Sequence, residues 1–318
     1  MTEVFGFEQQ DSLGVLNSEQ LSAYLDRIGL PEREIVGVTR TVELVNTLLR
    51  HHVASIPFEN TRTLLLKTPG PLAIDDVFNE LVTRKRGGYC YQNSLLFAGA
   101  LLALGFDAGV SFARMTRYEL PPKGKFLARP LAHCAGFVTI DGITFLVDTG
   151  RVRMIEAVEV KHLAEGNLAA AQRCLIKRNT STINNFDAPS FILLIKRAPW
   201  FPYPEGIDPN GDGFEPFMVF NTVRTWPVDF EVFNHYTTTV YRFGNRFLVN
   251  LVSETGGILE IVDLAFRRRE VAEFRHLDAK VSIHSKKQLV AILDKEFRIK
   301  LNEDEYIALD KLLPLAEK

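Results

Sequence analysis

Cysteine is scarce in this chain: three residues, Cys90, Cys134 and Cys174, are scattered over 318 positions. An odd number at wide spacing excludes a disulfide framework, and no pair has zinc-ligand spacing, so no metal site is expected. An excess of charge of one sign is also missing. The 37 Lys and Arg face 39 Asp and Glu, for a formal net charge of −2, which speaks against general affinity for nucleic-acid backbones. Long apolar runs are absent too. The longest, Leu95 to Phe106, covers 12 residues against the roughly 20 needed to cross a bilayer; it reads as a buried core helix, and no membrane association is expected. Residues Met1 to Gln10 lack the basic-then-apolar pattern of a secretory leader. The chain therefore reads as cytoplasmic, where a cysteine that matters acts as a thiol. Apolar material, by contrast, is plentiful at 46%, with 24% charged residues, the make-up of an ordinary globular protein.

Periodicity changes along the chain. Helical spacing recurs in the first third: Leu21, Tyr24, Leu25 and Ile28 before Gly29; Leu44, Val45, Leu48 and Leu49 after Thr41; a segment opened by Asp75-Asp76; and Tyr91 to Leu104 before Gly105. Alternating runs follow. Ala108 to Met115 is a strand candidate, and two runs joined at Asp141-Gly142 carry the signature of a type I′ hairpin. Phe191 to Lys196 and Phe217 to Val223 are further strands. The last third mixes strands (Thr237 to Phe243, Arg246 to Val252, Ile258 to Leu264) with one amphipathic helix, Lys286 to Phe297. The expected organisation is α+β: a helical bundle over 1–105, a β-barrel over 106–222 and an α/β lid over 223–318.

The stretch Arg86-Gly87-Gly88-Tyr89-Cys90 is the most informative. Two glycines permit backbone conformations closed to other residues, and they deliver Cys90 to a helix N-terminus, where the dipole and free N–H groups favour a thiolate. The plain alternative is a small apolar residue at the start of a buried helix. A nucleophilic cysteine needs a base, and the base an orienting acceptor. His133 starts the first strand of the Asp141-Gly142 hairpin and Asp148 ends the second. Pairing Ile140 with Ile143 sets Ala135 opposite Asp148, so His133 and Asp148 are diagonal neighbours on one face, about 7–8 Å apart at the backbone and within side-chain reach. The alternative is an ordinary surface pair at a hairpin end. His51 and His52, at a helix end, are read as caps for carbonyls.

The ordered set Arg-Gly-Gly-x-Cys, a strand-starting His, and an Asp within Val147-Asp148-Thr149-Gly150 resembles the arylamine N-acetyltransferase family. Ile56 to Asn60 and Asp229 to Tyr236 resemble further family segments. The resemblance covers most of the chain. It implies a thiol-protease-like core of bundle, barrel and lid with a Cys-His-Asp triad: Cys90 as nucleophile, His133 as its base or imidazolium partner and Asp148 as orienter. It also implies ping-pong transfer of a short acyl group (acetyl, with propionyl and malonyl as further candidates) from acyl-coenzyme A to an arylamine or hydrazine, commonly in xenobiotic detoxification. Acyl-coenzyme A is then a co-substrate, with no permanently bound cofactor. Tyr236 matches a family position near the coenzyme, with a core tyrosine as the alternative. Arg86 matches an arginine expected to tie the loop to acids such as Glu59. Arg267-Arg268-Arg269 is read as a solvated face, with a grip on coenzyme phosphates as the alternative.

The chain departs from the family pattern after Asp148, where Arg151 replaces an aromatic residue lining the acceptor side. Arg151 is therefore a candidate substrate-binding residue, suited to a carboxylated acyl group such as malonyl, or else a solvent-facing side chain. Cys134 and Cys174 are expected to be ordinary core or surface thiols. Two rival functions share these features: a thiol hydrolase with the same triad, and a non-catalytic coenzyme or ligand binder.

Overall fold

The structure, a computed structural model, describes residues 13–119, 125–150, 154–168, 172–179, 190–196, 213–225, 227–240, 245–253, 256–272 and 275–312. Helix α1 (Ser18–Arg27) opens with a capping box between Asn17 and Gln20, and α2 (Val42–Ser55) with Thr41 accepting from the Leu44 N–H, both as the side-chain chemistry dictates. A two-residue strand β1 (Phe58–Glu59), α3 (Thr61–Leu66) and α4 (Ile74–Phe78) lead to α5 (Cys90–Ala103). Residues Cys90 to Leu101 are all buried. A helix apolar on every side belongs inside a fold, and α5 lies between the other helices and a large sheet.

That sheet contains β2 (Asp107–Glu119), β3 (Lys125–Ala128), β4 (His133–Ile140), β5 (Ile143–Leu146), β6 (Val158–Glu159), β7 (Ala164–Leu168), β8 (Gln172–Arg178), β9 (Phe191–Lys196) and β10 (Phe214–Phe220). The order β6-β5-β4-β2-β10-β9-β8-β7 is antiparallel throughout. A bridge between Met154 and Leu168 draws the two edges together, so the sheet is a nearly closed barrel. Asp141 and Gly142 both have positive φ, as a type I′ turn requires, and Ile140 pairs with Ile143 as the turn predicts.

The remaining elements are α6 (Pro227–His235), β11 (Leu248–Val252), β12 (Ile258–Val262), β13 (Ala265–Ala272), β14 (Arg275–Ser282), α7 (Lys286–Phe297) and α8 (Glu303–Ala308). Their sheet runs β1-β11-β12-β13-β14, so its first strand comes from the N-terminal segment. The Asn60 side chain secures that junction, donating to the Arg246 carbonyl at 2.7 Å and accepting from the Leu248 N–H at 2.9 Å. A second core, with Leu65, Val249, Ile261, Leu289, Leu293 and Phe297, fills the space under α7 and α8.

Two expectations need correction. Thr237 to Val240 form a wide π-helical turn following α6 and not a strand. The hydroxyls of Thr238 and Thr239 bond back to the carbonyls of Asn234 and His235, a local satisfaction that overrides β propensity. Arg267, Arg268 and Arg269 are not a free solvated face: they lie on β13 between two strands, Arg267 and Arg269 pairing with Glu260 and Arg268 with Glu296.

Candidate active site

The loop before Cys90 runs beside β1. Gly88 bridges Phe58 in parallel, the Glu59 N–H donates to the Gly88 carbonyl at 3.0 Å and the Gly88 N–H to the Pro57 carbonyl at 3.1 Å. This explains why both motifs are present. It also revises the reason for the glycines: neither has positive φ. A Cβ on Gly87 would lie 2.3 Å from the Pro57 carbonyl, and one on Gly88 2.8 Å from the Gln92 Cβ, so close approach is what demands them.

Arg86 locks this loop. Its guanidinium donates to Glu59 (Nε to Oε1, 3.0 Å), to both oxygens of Glu305 (2.8 and 3.0 Å) and to Thr61 Oγ1 (2.7 Å). Glu59 also accepts from the Gly87 N–H at 3.1 Å. Burial alone would discharge these groups. The Arg86 charge and hydrogen bonds nevertheless hold Glu59 below the usual carboxylate range, and Glu59 with Glu305 holds Arg86 above its own. The tie to Glu59 is as expected. Glu305, arriving on the C-terminal α8, was not foreseeable from its sequence position.

Cys90 is the first residue of α5, 4% exposed. His133 opens β4 opposite Ala113, and Asp148 follows β5, where the Val147 N–H still pairs with the Gly136 carbonyl. The two side chains meet: His133 Nε2 donates to Asp148 Oδ2 at 2.5 Å, and Asp148 Oδ1 accepts from the Gly150 N–H at 2.7 Å. Cys90 lies close enough to His133 to add to the influences that keep its ring protonated. Burial would lower the His133 pKa, but the Asp148 charge and hydrogen bond, with Cys90, raise it to about 10. The ring is thus an imidazolium near neutrality. The three residues lie together and buried. Cys134 and Cys174 are also buried; burial pushes the Cys134 thiol well up and the Cys174 thiol to about 12, which keeps both protonated and unreactive.

An aromatic cluster packs with Cys90. Phe230 and Phe233, one turn apart on α6, each lie 4.5 Å from the Phe112 ring centroid, and Phe230 lies 5.7 Å from that of Tyr91. The Tyr89 hydroxyl donates to Asn234 Oδ1 at 2.5 Å and accepts from the Gly70 N–H at 2.9 Å, binding α6 to the loop before Cys90. A cleft of about 270 Å³ lined by Gly70, Leu72, Glu231, Asn234 and His235 borders this contact. The phenylalanines were missed from sequence, although their i, i+3 spacing is helical. Tyr236 is half-buried at the start of the turn after α6; Arg151 lies outside the described residues. Among the described residues no helix is long and apolar enough to cross a membrane.

A family model described as N-acetyltransferase matches residues 41–306. The chain belongs to this N-acetyltransferase family. Among curated members, human arylamine N-acetyltransferase 1 is 27% identical over 157 residues, 49% of this chain and 51% of the relative; human arylamine N-acetyltransferase 2 is 29% identical over 130 residues, 41% and 42%. The matched stretches span about half the length of these curated relatives or less. The fold is that of the arylamine N-acetyltransferase from Mycobacterium abscessus (TM-score 0.75, 22% identity, 93% of this chain and 95% of the other). The Nocardia farcinica arylamine N-acetyltransferase is also similar (TM-score 0.71, 25% identity, 91% and 92%). The Mycobacterium marinum arylamine N-acetyltransferase, solved in complex with coenzyme A, has the same fold (TM-score 0.71, 20% identity, 92% and 99%).

Proposed function

We propose that the protein is an acyl-coenzyme A-dependent N-acyltransferase that transfers a short acyl group, acetyl foremost, to an arylamine or hydrazine through a thioester on Cys90. The observation that carries this reading is the buried Cys90–His133–Asp148 constellation in a chain of the N-acetyltransferase family. The place of Cys90 at a helix N-terminus, near His133, supports its role as the nucleophile.

In the first half-reaction the Cys90 thiolate adds to the acyl carbonyl. The carbon–sulfur bond to coenzyme A then breaks, and the departing thiolate takes the proton from His133. In the second, an amine adds to the Cys90 thioester, His133 receives the ammonium proton, and the Cys90 thiolate leaves as the amide forms. Thioester exchange is nearly isoenergetic, whereas amide formation runs downhill. Asp148 keeps the imidazole in one orientation and stabilises its charge. The aromatic cluster of Phe112, Phe230 and Phe233 suits the edge and face of an arylamine ring. The coenzyme bound by the Mycobacterium marinum relative supports coenzyme A as carrier here, with Tyr236 as a coenzyme-binding residue and Arg151 as a substrate-binding residue suited to a carboxylated acyl group such as malonyl.

The deciding experiment is intact-mass analysis after incubation with acetyl-coenzyme A. One acetyl group should appear on the wild type, be absent from Cys90→Ala, and discharge onto an added arylamine. Discharge to water alone would replace this reading with a thiol hydrolase, and no adduct would favour a non-catalytic binder.

A further inference from the structure

Three fully buried side chains that this chemistry does not use line up behind the nucleophile: Tyr24 on α1, His52 on α2 and Asn93 on α5. The Tyr24 hydroxyl lies 2.9 Å from His52 Nδ1, and His52 Nε2 lies 3.1 Å from Asn93 Oδ1. Asn93 Nδ2 then donates to the Gly88 carbonyl at 2.5 Å and the Tyr89 carbonyl at 3.3 Å. His52 is therefore not the carbonyl cap that its helix-end position suggested.

Donor and acceptor inventories fix the direction of the chain. The Asn93 amide faces two carbonyls with its NH₂; the flipped rotamer would set oxygen against oxygen. Its Oδ1 can only accept, so His52 Nε2 carries the hydrogen, and the lone pair on Nδ1 takes the Tyr24 O–H. Burial raises the Tyr24 phenol further above its ordinary range, which keeps it a donor. Four hydrogen bonds thus run one way, from the bundle core to the peptides on either side of Tyr89.

The second of those peptides matters for chemistry. Its carbonyl, Tyr89 O, is held by the Asn93 backbone N–H at 3.1 Å as well as by Nδ2. In a trans peptide the N–H points opposite to the carbonyl, so the Cys90 N–H is directed out of the first turn of α5, where no intrahelical acceptor exists. When an acyl carbonyl is attacked by Cys90 Sγ, the developing oxyanion needs such a donor.

We propose that Tyr24, His52 and Asn93 form a positioning relay that fixes the Tyr89–Cys90 peptide so that the Cys90 N–H meets the oxyanion during thioester formation. The relay rests on the acyltransferase reading. None of its members touches substrate; they act through the peptide.

Two reactions of the same thiol separate this role from simple structural damage. Acylation by acetyl-coenzyme A passes through an oxyanion, whereas alkylation by iodoacetamide does not and depends on the thiolate alone. His52→Leu and Asn93→Asp should slow single-turnover acylation by about tenfold or more, part of the 10²–10³ lost when an oxyanion donor is removed outright. The KM for acetyl-coenzyme A and the alkylation rate should stay at wild-type values. Tyr24→Phe, the smallest change, should act in the same direction, and His52→Gln, which can both accept from Tyr24 and donate to Asn93, should restore the rate. Unchanged acylation in the variants, or acylation and alkylation falling in parallel, overturns the relay while the acyltransferase reading stands. A wild type that is alkylated but never acylated overturns both.

Discussion

Gly150 lies against Cys90 so closely that a Cβ placed on it would sit 2.8 Å from the Cys90 Cβ and 3.0 Å from its Cα. The same Cβ would come 3.1 Å from Asp148 Oδ1, the oxygen that accepts from the Gly150 N–H. Gly150→Ala must therefore displace its own loop, the proposed nucleophile or the carboxylate that orients His133. A displacement of about 1 Å at a reacting group is worth about 10²-fold in rate, so acylation of Cys90 should fall by about that factor. Stopped-flow mixing with acetyl-coenzyme A, read by intact mass, measures it; wild-type acylation in Gly150→Ala would show that the loop yields freely.

Replacing Arg86 by lysine keeps a charge but not the fork that serves Glu59, Glu305 and Thr61 together. Breaking a buried pair costs about 3–5 kcal/mol, and Arg86→Lys should lose stability on that scale. Urea denaturation followed by tryptophan fluorescence gives the number. Glu305→Gln, which retains an acceptor, should lose clearly less, and equal losses would show that the fork of Arg86 matters no more than the Glu305 charge.

The pH behaviour of His133 has a definite sign. Its folded pKa is raised to about 10 from an unfolded value near ~6.5. Its contribution to stability is therefore complete below ~6.5 and is lost as pH rises through about 10. In NMR titrations the ring should stay protonated through neutral pH. Asp148→Asn removes the main opposing influence, so burial prevails and the midpoint should drop steeply. An unmoved midpoint would mean that Asp148 does not hold the proton.

Asn60 acts like a further peptide at the joint between β1 and β11, through its bonds to Arg246 and Leu248. Asn60→Ala strands both groups, at about 1–3 kcal/mol. Amide exchange at Leu248 should accelerate, with strands of the barrel unaffected. Uniform acceleration across the molecule would instead indicate global loss of stability.

What the sequence made legible was local or fixed by a turn. Asp141-Gly142 sets the register of its hairpin, and that register alone brings His133 to Asp148. Helix starts at Asn17 and Thr41 were readable because each cap is satisfied within three residues. What escaped depends on partners far along the chain. Gly87 and Gly88 owe their identity to Pro57 and Gln92, not to backbone conformation. Arg267 to Arg269 look solvated until Glu260 and Glu296 are placed beside them. Thr237 to Val240 carry strand propensity that hydroxyl bonds to the preceding turn overrule. His52 resembled a helix cap because neither Tyr24 nor Asn93 is a neighbour in sequence.

Arg86 and Glu305 are separated by 219 residues. During synthesis the helix that begins at Cys90 leaves the ribosome long before the Glu305 half of its clamp exists. At translation speeds of about 5–20 residues per second, that interval lasts on the order of 10–40 seconds. Throughout it only Glu59 and Thr61 can hold the guanidinium, and Cys90 rests on an unfinished scaffold. The fold thus couples maturation of its chemistry to completion of the polypeptide: a stalled nascent chain would carry Cys90 without the geometry to use it.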